Sequence, residues 1–371
     1  MLNFACQLLI SQKISENSED EHYCISMKQN AIKLSGYRYY LPESVIALAP
    51  ASPRDSAKLM IYDKTERSVR FDTFRNINNY LPPKSILVIN DTKVIPARLM
   101  AKKKTGGKAE IFFLRTRGKY IEALSNKRLA PKTRLYISPK FFFTVIGHTA
   151  KSYIFMPSFP TSRIFEILNR FGKTPLPPYL KHSPLSESGR RRRYQAIFAH
   201  INGSAAAPTA SLHFTKPLIN MLKRHGHSII RVTLHVGLGT FAPLKKNHLR
   251  SGRLHGEFFE VSASAAAALN QAKRENRPVV AVGTTTLRAL ESAVNKHGVI
   301  RATASETTLF IRPGYRFRAT NALITNFHVP ESSLMMLVAA LTGRQKLLKL
   351  YKLAIRKNFH FLSFGDAMLI K

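Results

Sequence analysis

Residues 108–157 differ from the rest of the chain in how their apolar residues are spaced. They contain five short β-branched and aromatic runs, at 109–114, 120–124, 134–137, 141–146 and 153–156. Glycine, proline, asparagine and lysine separate these runs without a helical period, which is typical of a small antiparallel barrel or sandwich. The sequence therefore predicts a mixed α/β (α+β) fold: a larger α/β domain with an inserted small antiparallel β-barrel domain. We assign residues 62–157 to the barrel, and 31–61 and 158–371 to the α/β domain.

Within the α/β domain, residues 203–241 combine small residues, a helix and a glycine-rich loop. The helix covers about 216–225, and a strand over 229–234 leads into the loop that contains His235, Gly237, Gly239 and Thr240. In α/β sheets ligands bind at the carboxyl ends of strands, so this loop is a candidate site. A tight turn with two core histidines, His213 and His235, is an equally good interpretation of the same residues.

A second candidate is the succession of a buried strand, a glycine and a threonine-rich helix start. The strand covers 279–282, Gly283 follows it, and Thr284 and Thr285 open the helix. Free backbone N–H groups and the positive end of the helix dipole meet at such a point, which suits a carboxylate or phosphate. Arg288 and Glu291 lie one and two turns into this helix.

Other predicted strands end in, or carry, polar residues. The strand at 85–90 runs into Asp91, that at 255–261 carries Glu257, and the one at 324–328 ends at His328. Spacing alone does not distinguish a capped turn from a polar site at Asp91.

The charge balance favours a polyanionic partner. Lysine and arginine number 58 against 21 aspartates and glutamates, a net charge of +37. Nucleic acid is the first candidate and an anionic membrane surface the second, although a basic source proteome also accounts for the excess. The run Arg190 to Arg193 followed by Tyr194 suits phosphate contacts and base stacking, or is a solvated loop.

Cysteine and apolar patterns limit the cellular setting. Cys6 and Cys24 are the two cysteines, which leaves no disulfide scaffold or Cys-based zinc site for the body of the chain. The apolar run at 334–341 is far shorter than a bilayer span, and no signal peptide is recognisable. We predict a cytoplasmic protein with no membrane partner, in which residues 1–30 are a disordered leader or a mis-assigned start.

Seven motifs stand together in the order found in one family. They are NDTKVIPARL, GSAAAPTASLHFT, VTLHVGLGTF, AVGTTTLRALESA, PGYRF, ITNFHVPESSLMMLVAAL and SFGDAMLI. With them the chain resembles the S-adenosylmethionine:tRNA ribosyltransferase-isomerases of queuosine biosynthesis, from about residue 37 to residue 371. It departs from the family pattern at Arg192, where an acidic residue is usual, and at Ala196, where threonine is usual.

The resemblance implies an α/β domain with an inserted β-barrel and a specific reaction. The ribosyl part of S-adenosylmethionine, a cosubstrate, is transferred to 7-aminomethyl-7-deazaguanine in the wobble position of tRNA. It is isomerised to give epoxyqueuosine, while adenine and methionine leave. No metal is implied, and we expect a monomer.

The reaction needs a base for a ribose C–H beside a sulfonium and a proton donor or hydrogen bonds for adenine. Histidines titrate near neutral pH, so the expected catalytic residues are His213, His235 and His328. The acidic candidates are Asp91, Glu257 and Glu291. For S-adenosylmethionine we expect the methionine carboxylate at the helix start and the ribose near the glycine-rich loop, involving Gly237, Gly239, Thr240, Gly283, Thr284, Thr285 and Arg288. For tRNA we expect Arg98, Arg191, Arg192, Arg193 and Tyr194.

Two other functions fit parts of the sequence. The first is an RNA methyltransferase that uses the same cosubstrate, although no glycine-rich Rossmann fingerprint follows an early strand. The second is a basic RNA-binding protein without catalysis, which the charge alone supports. That alternative does not explain the glycine–threonine helix start or the polar residues at the strand ends.

Overall fold

The computed structural model describes residues 33–150, 152–237 and 244–371. The expected leader at 1–30 and the loop residues Gly239 and Thr240 lie outside the described residues. The strands are β1 (Lys58–Tyr62), β2 (Val69–Thr73), β3 (Ile86–Asn90), β4 (Thr92–Val94), β5 (Arg98–Lys103), β6 (Lys108–Arg117), β7 (Tyr120–Ser125), β8 (Arg134–Tyr136), β9 (Phe142–His148), β10 (Tyr153–Pro157), β11 (Ile201–Ser204), β12 (Ser228–Leu234), β13 (Arg253–Val261), β14 (Val279–Val282), β15 (Thr303–Leu309), β16 (Ala322–Asn326) and β17 (Ala367–Ile370). The α-helices are α1 (Ile164–Phe171), α2 (Glu187–Arg193), α3 (Lys216–Arg224), α4 (Lys246–Ser251), α5 (Ala263–Arg274), α6 (Thr284–Ala293), α7 (Ser333–Thr342) and α8 (Arg344–Arg356).

A nine-stranded mixed sheet forms the larger domain, in the order β15-β13-β12-β3-β14-β16-β17-β1-β2. Its central strands β12, β3, β14 and β16 are mutually parallel. On one side β13 and β15 are antiparallel to their neighbours, and on the other side β17 is antiparallel to β16 and parallel to β1. The carboxyl ends of the four central strands therefore lie along one edge of the sheet.

Both faces of this sheet are covered, which explains why its central strands are continuous apolar runs. In β3, Ile86 and Val88 belong to the core on one face, and Leu87 and Ile89 to the core on the other. Successive side chains of a strand point to opposite faces, so only a strand buried on both sides needs apolar residues at every position. Helices α5 to α8 contribute to the first core, and α3 to the second.

A closed six-stranded antiparallel barrel, in the order β10-β7-β6-β5-β8-β9, forms the second unit. Strands β6 to β10 match the five runs predicted from the sequence, and the predicted fold class is confirmed. The sixth strand, β5, was not predicted. Strands β2 and β3, which fall within the predicted segment 62–157, lie in the large sheet instead, and the barrel begins at Arg98. The segment 62–97 alternates less clearly than the barrel strands, so spacing did not separate it.

Short backbone contacts attach the barrel to the large sheet. Strands β4 and β11 form a parallel pair, beyond which Ile95 N–H donates to the Ser204 carbonyl at 3.1 Å. The Arg115 guanidinium pairs with Glu306 of β15 at 3.2 Å. Since Phe258 is the partner of Glu306 in β13, this contact lies one residue away from Glu257.

Among the described residues, no helix has both the length and the apolar character to cross a membrane.

Candidate active site

A pocket opens at the edge where the central parallel strands end. It contains about 1230 Å³ of space, including the part open to solvent. Of the residues predicted from the sequence for catalysis or cosubstrate binding, the following line it: Glu257, Gly283, Thr284, Thr285, Arg288 and His328. These residues come from β13, the start of α6 and the end of β16. The fold therefore brings together Glu257 and His328, which are 71 positions apart in the chain.

The amino end of α6 faces this pocket without a side-chain cap. Gly283 precedes the helix with φ of 94°, a conformation that favours glycine, and no side chain in the described part of the chain accepts a hydrogen bond from the first turn. Asn90, at the end of β3, donates from Nδ2 to Thr285 Oγ1 at 3.2 Å and to the Leu234 carbonyl at 2.9 Å. Asn90 thus joins β3, β12 and α6. An uncapped helix start of this kind attracts an anionic group.

Arg288 and Glu257 form a buried ion pair in the wall of the pocket. Glu257 Oε1 also accepts from the Gly237 N–H at 3.0 Å, and Arg288 Nε donates to the Leu309 carbonyl at 3.1 Å. The pair therefore fixes the backbone at Gly237, a residue of the predicted ribose loop. Gly237 itself is near Glu257 rather than among the lining residues.

His328 is the predicted catalytic histidine that lines the pocket. Its Nδ1 lies 3.1 Å from the Tyr351 hydroxyl and its Nε2 3.3 Å from Thr325 Oγ1. Burial removes water from the ring and lowers its pKa to about 3, so the imidazole is uncharged at neutral pH.

His213 reaches the pocket only through a neighbour. Its Nε2 lies 3.3 Å from Nδ2 of pocket-lining Asn326, and its ring packs against Phe74 at 5.0 Å between centroids. Burial lowers the pKa of His213 to about 4. His213 is therefore an uncharged histidine behind the pocket wall.

His235 and Asp91 form a separate cluster beside the pocket. His235 Nδ1 is hydrogen-bonded with Thr92 Oγ1 at 2.7 Å, and Asp91 Oδ1 accepts from Thr233 Oγ1 at 2.7 Å. Burial lowers the pKa of His235, and the charge of Asp91 opposes that shift. The ring stacks on Phe258 at 5.6 Å. Val236, the next residue, lines the pocket, so this cluster lies directly behind its wall.

Three buried polar atoms of pocket-lining residues have no hydrogen-bond partner among the described residues. They are Arg288 Nη2, Asn326 Oδ1 and the Tyr194 hydroxyl. A buried polar group without a partner costs about 1–3 kcal/mol, so such groups are uncommon unless a ligand or water satisfies them. One donor, one acceptor and one hydroxyl around a single pocket indicate a polar ligand.

The expected RNA-contacting run forms helix α2, capped by Ser186, rather than a loop. Arg191 donates to the Asn169 carbonyl at 2.6 Å and pairs with Glu187 at 3.1 Å, so it attaches α2 to the end of α1. Arg54 donates to the carbonyls of Arg192 and Arg193 and closes the carboxyl end of α2. The side chain of Arg192 is exposed.

Tyr194 differs most from its expected position. It is 1% exposed, packs edge-to-face on Phe364 at 5.7 Å and lines the pocket. Burial and the nearby Tyr179 raise the pKa of its hydroxyl. A surface role in base stacking is therefore incorrect for Tyr194. It directly follows the basic helix in sequence, but its ring is buried in the core.

Two further predicted residues have contacts away from the pocket. Glu291 accepts from the backbone N–H groups of Arg318 and Ala319 and from the Tyr315 hydroxyl, and so anchors the PGYRF turn. Arg98 begins β5 and pairs with Glu110 at 3.5 Å. No group of three or more His, Cys, Asp or Glu side chains suited to a metal ion occurs within the ranges that the structure describes.

Sequence reasoning missed Asn90, Asn326 and the inward position of Tyr194. The signal for Asn90 was present, since an amide at a buried strand end must find hydrogen-bond partners. For Asn326 and Tyr194, the pairing with β17 and the packing on Phe364 decide their position, and neither is local in sequence.

A family model described as "Queuosine biosynthesis protein" matches residues 34–370. The chain belongs to that family. Among its relatives in the queuosine biosynthesis family, the S-adenosylmethionine:tRNA ribosyltransferase-isomerases of Carboxydothermus hydrogenoformans and Clostridioides difficile are 43% and 42% identical to it. The alignments cover 91% and 92% of this chain and 100% of each relative.

A solved structure of the same kind supports the fold. The crystal structure of S-adenosylmethionine tRNA ribosyltransferase from Thermotoga maritima aligns with a TM-score of 0.53 and 30% identity, over 91% of this chain and 100% of that one. The family and the enzyme class inferred from the seven motifs are thereby confirmed.

Proposed function

We propose that this chain transfers the ribosyl part of S-adenosylmethionine to 7-aminomethyl-7-deazaguanine at the wobble position of tRNA. The sugar is isomerised to an epoxycyclopentanediol, giving epoxyqueuosine, and adenine and methionine are released. The observation that carries the proposal is the pocket at the sheet edge, with an uncapped helix start and three unpartnered buried polar atoms around it. The full-length similarity to enzymes of that name supports it.

In this proposal the methionine carboxylate binds at the start of α6. The backbone N–H groups there are not capped by a side chain, and the helix dipole adds partial positive charge. The unpartnered Nη2 of Arg288, in the second turn of the same helix, is the nearby cation. The ribose then lies toward Gly237, whose backbone N–H donates to Glu257.

The catalytic residues divide by position. His328 lines the pocket and is uncharged, so we propose that it hydrogen-bonds to substrate. His213 positions Asn326, whose Oδ1 is free to accept from the adenine amino group. For the base we propose His235, which lies directly behind the pocket wall and acts through one bridging water. Its neighbour Asp91 favours the protonated imidazolium that forms when the base takes a proton. A pH–rate profile of His235→Gln that keeps the wild-type fall in rate at low pH contradicts that assignment.

For tRNA, exposed Arg192 is a proposed phosphate contact, whereas Arg191 is proposed to act through the position of α2. The chain is proposed to act as a monomer in the cytoplasm, where tRNA modification takes place. Sedimentation of the purified protein alone and with tRNA tests the monomer.

The test is release of free adenine from S-adenosylmethionine in the presence of precursor tRNA. Cosubstrate labelled in the ribose should transfer its label to tRNA, and cosubstrate labelled in the methyl group should not. Label entering only from the methyl group identifies a methyltransferase and overturns the proposal. RNA binding without adenine release identifies a non-catalytic RNA-binding protein.

A further inference from the structure

The barrel carries an uneven share of the positive charge. Residues 98–157 contain 14 lysines and arginines and two glutamates, a net charge of +12 in 60 residues. An even spread of +37 over 371 residues gives about +6 for a segment of that length. Both glutamates are engaged, because Glu110 pairs with Arg98 and buried Glu122 pairs with Arg115 and Arg117. The other described cations of the barrel have no acidic partner within it.

Strand register places some of these cations beside aromatic rings. Lys108 of β6 is opposite Lys102 of β5, Lys102 is opposite Tyr136 of β8, and Tyr136 is opposite Phe142 of β9. Directly opposed residues point to the same face of an antiparallel sheet. The four side chains therefore form one row across four neighbouring strands, which are about 4.8 Å apart. We call this the barrel row: Lys108, Lys102, Tyr136 and Phe142.

The barrel row faces outward. Lys102 and Lys108 are exposed, and Tyr136 and Phe142 are half-buried, while the next residues Leu135 and Phe143 fill the barrel core. The two rings are 5.2 Å apart, and the Arg134 guanidinium lies 5.2 Å from the centre of the Phe142 ring. Exposed Met100 continues the same outward face of β5.

Basic side chains interleaved with exposed aromatic rings fit one partner by chemistry. Small barrels bind nucleic acid by stacking unpaired bases on aromatic rings, while lysine and arginine follow the phosphates. The half-buried rings are held by the strands and lose little conformational freedom on stacking. We propose that the barrel row is an RNA-binding surface that stacks unpaired bases of the substrate RNA on Tyr136 and Phe142 and pairs its phosphates with Lys102 and Lys108.

This inference rests on the proposed function only for the identity of the RNA. The contact between Arg115 and Glu306 connects the barrel to β15, which pairs with the strand β13 that carries pocket-lining Glu257. The barrel row then contributes to RNA affinity and not to the chemistry in the pocket.

The experiment compares three full-length proteins by fluorescence anisotropy with a labelled tRNA transcript over a salt series. Lys102→Ala with Lys108→Ala should lower the slope of log affinity against log salt by about 1.5. The matched control, Lys349→Ala with Lys352→Ala on exposed positions of α8, removes the same charge and should keep the slope of the wild type. Equal slopes for both double variants overturn the inference.

The aromatic rings are tested separately. Tyr136→Ala should weaken binding of an isolated anticodon stem-loop by about 5- to 150-fold, and Tyr136→Phe, which keeps the ring, should bind as the wild type does. Thermal unfolding identifies any loss of the barrel fold in Tyr136→Ala. If the fold is lost, the lysine variant, which leaves the core intact, tests the RNA-binding role of the barrel row.

Two further measurements separate the possible failures. Adenine release at saturating tRNA should be unchanged in the lysine variant. If the wild-type protein releases adenine and all variants bind RNA as it does, the RNA-binding role of the barrel row is wrong and the proposed function stands. If the lysine variant loses RNA affinity but the wild-type protein does not release adenine, the proposed function is wrong and the RNA-binding role of the barrel row stands. Vesicles with phosphatidylserine should bind wild type and the lysine variant equally, and a loss confined to vesicles replaces RNA with an anionic membrane and overturns the inference.

Discussion

At the scale of single residues, the pocket is defined by polar atoms that the fold leaves without partners. Arg288 Nη2 and Asn326 Oδ1 are buried, and each would be more stable with a hydrogen bond. The fold nevertheless keeps them in place, because Asn326 Nδ2 donates to the Leu362 carbonyl and Arg288 Nε to that of Leu309. One end of each side chain is thus fixed by backbone, which leaves the other end preorganised for a ligand.

The ion pair between Arg288 and Glu257 gives the first prediction. Glu257→Gln leaves a buried arginine without its counter-charge, which costs about 3–5 kcal/mol of the free energy of unfolding. It should also raise the KM for S-adenosylmethionine, because the Gly237 backbone loses a charged acceptor. Chemical denaturation and steady-state kinetics measure the two effects.

A double variant separates stability from binding. Glu257→Leu with Arg288→Met replaces both charges by apolar groups and should recover most of the stability that Glu257→Gln loses. It should not recover activity, because the cation is gone. A double variant with wild-type KM would show that Arg288 has only a structural role.

Gly203 gives a second prediction at this scale. A Cβ atom at this position would lie 2.6 Å from His235 Nε2, closer than real Cβ atoms approach other atoms. Gly203→Ala should therefore move the His235 ring, cost about 1–3 kcal/mol in unfolding free energy and lower the rate of adenine release. The control is Gly147→Ala in β9, where no atom lies within 4 Å of the added Cβ, and it should leave adenine release unchanged.

The pocket residues were predictable to different degrees. Gly283, Thr284 and Arg288 were found because a strand, a glycine and a helix start are continuous in sequence and place the helix dipole at a known point. His328 was found because it ends a strand. The inward position of Tyr194 was not found, because its neighbours in sequence are four arginines, and the packing on Phe364 comes from a residue 170 positions later.

At the scale of elements, helix α2 shows how a charge run can be structural. Its arginines were expected in a loop, yet Ser186 caps its start by accepting from the Gly189 N–H, and Arg54 binds carbonyls at its end. Gln195 then pairs with both the N–H and the carbonyl of Val94 in β4. The charge pattern predicted the exposed surface of the helix. Its first cap, Ser186, is local, whereas the group that binds its last carbonyls, Arg54, is distant in the chain.

The third prediction distinguishes two arginines of helix α2: Arg191, which has a structural role, and exposed Arg192, which is proposed to contact tRNA. Arg191→Ala removes hydrogen bonds to the Asn169 and Gly172 carbonyls and should cost about 1–3 kcal/mol in unfolding free energy. Arg192→Ala should leave stability within about 0.5 kcal/mol and lower the salt slope of tRNA binding by about 0.8. Denaturation and anisotropy on both variants test this, and an Arg191→Ala protein of wild-type stability contradicts it.

The barrel was more predictable than the sheet boundary. Each of β6 to β10 is a β-branched or aromatic run between turn residues, so local pattern is sufficient. Strand β5 contains one arginine and two lysines in six residues, and only its alternating burial in the barrel reveals it as a strand. Strands β2 and β3 belong to the large sheet through β1 and β14, which are distant pairings.

At the scale of the whole molecule, the net charge of +37 opposes folding as well as favouring RNA. The fourth prediction follows from the self-repulsion: added salt screens it, so the Tm should rise between low and physiological ionic strength while tRNA affinity falls. Calorimetry and anisotropy over the same salt series measure both. A Tm that falls on addition of sodium chloride contradicts a net repulsive surface.

Several buried histidines make the stability of the molecule depend on pH. Burial lowers the pKa of His213 to about 4 and that of His328 to about 3, whereas both titrate near 6.5 in the unfolded chain. Between pH 6.5 and 4 the unfolded chain therefore binds more protons than the folded protein does. The stability of the uncharged, buried state is fully present above pH 6.5 and is lost as the pH falls. Asp366, whose pKa burial raises, acts in the opposite direction near the acidic end of this range.

The fifth prediction is the size and source of that loss. Each of the two histidines should reduce the free energy of unfolding by about 1.4 kcal/mol per pH unit between pH 6 and 4.5. His213→Gln, which keeps an acceptor toward Asn326, should reduce the slope by the contribution of one histidine even if its absolute stability is lower. Urea denaturation at pH 7.5, 6.5, 5.5 and 4.5 measures the slope for both proteins. An unchanged slope in His213→Gln means that His213 is charged in the folded protein, and Asn326 Oδ1, not Nδ2, would then face the imidazole.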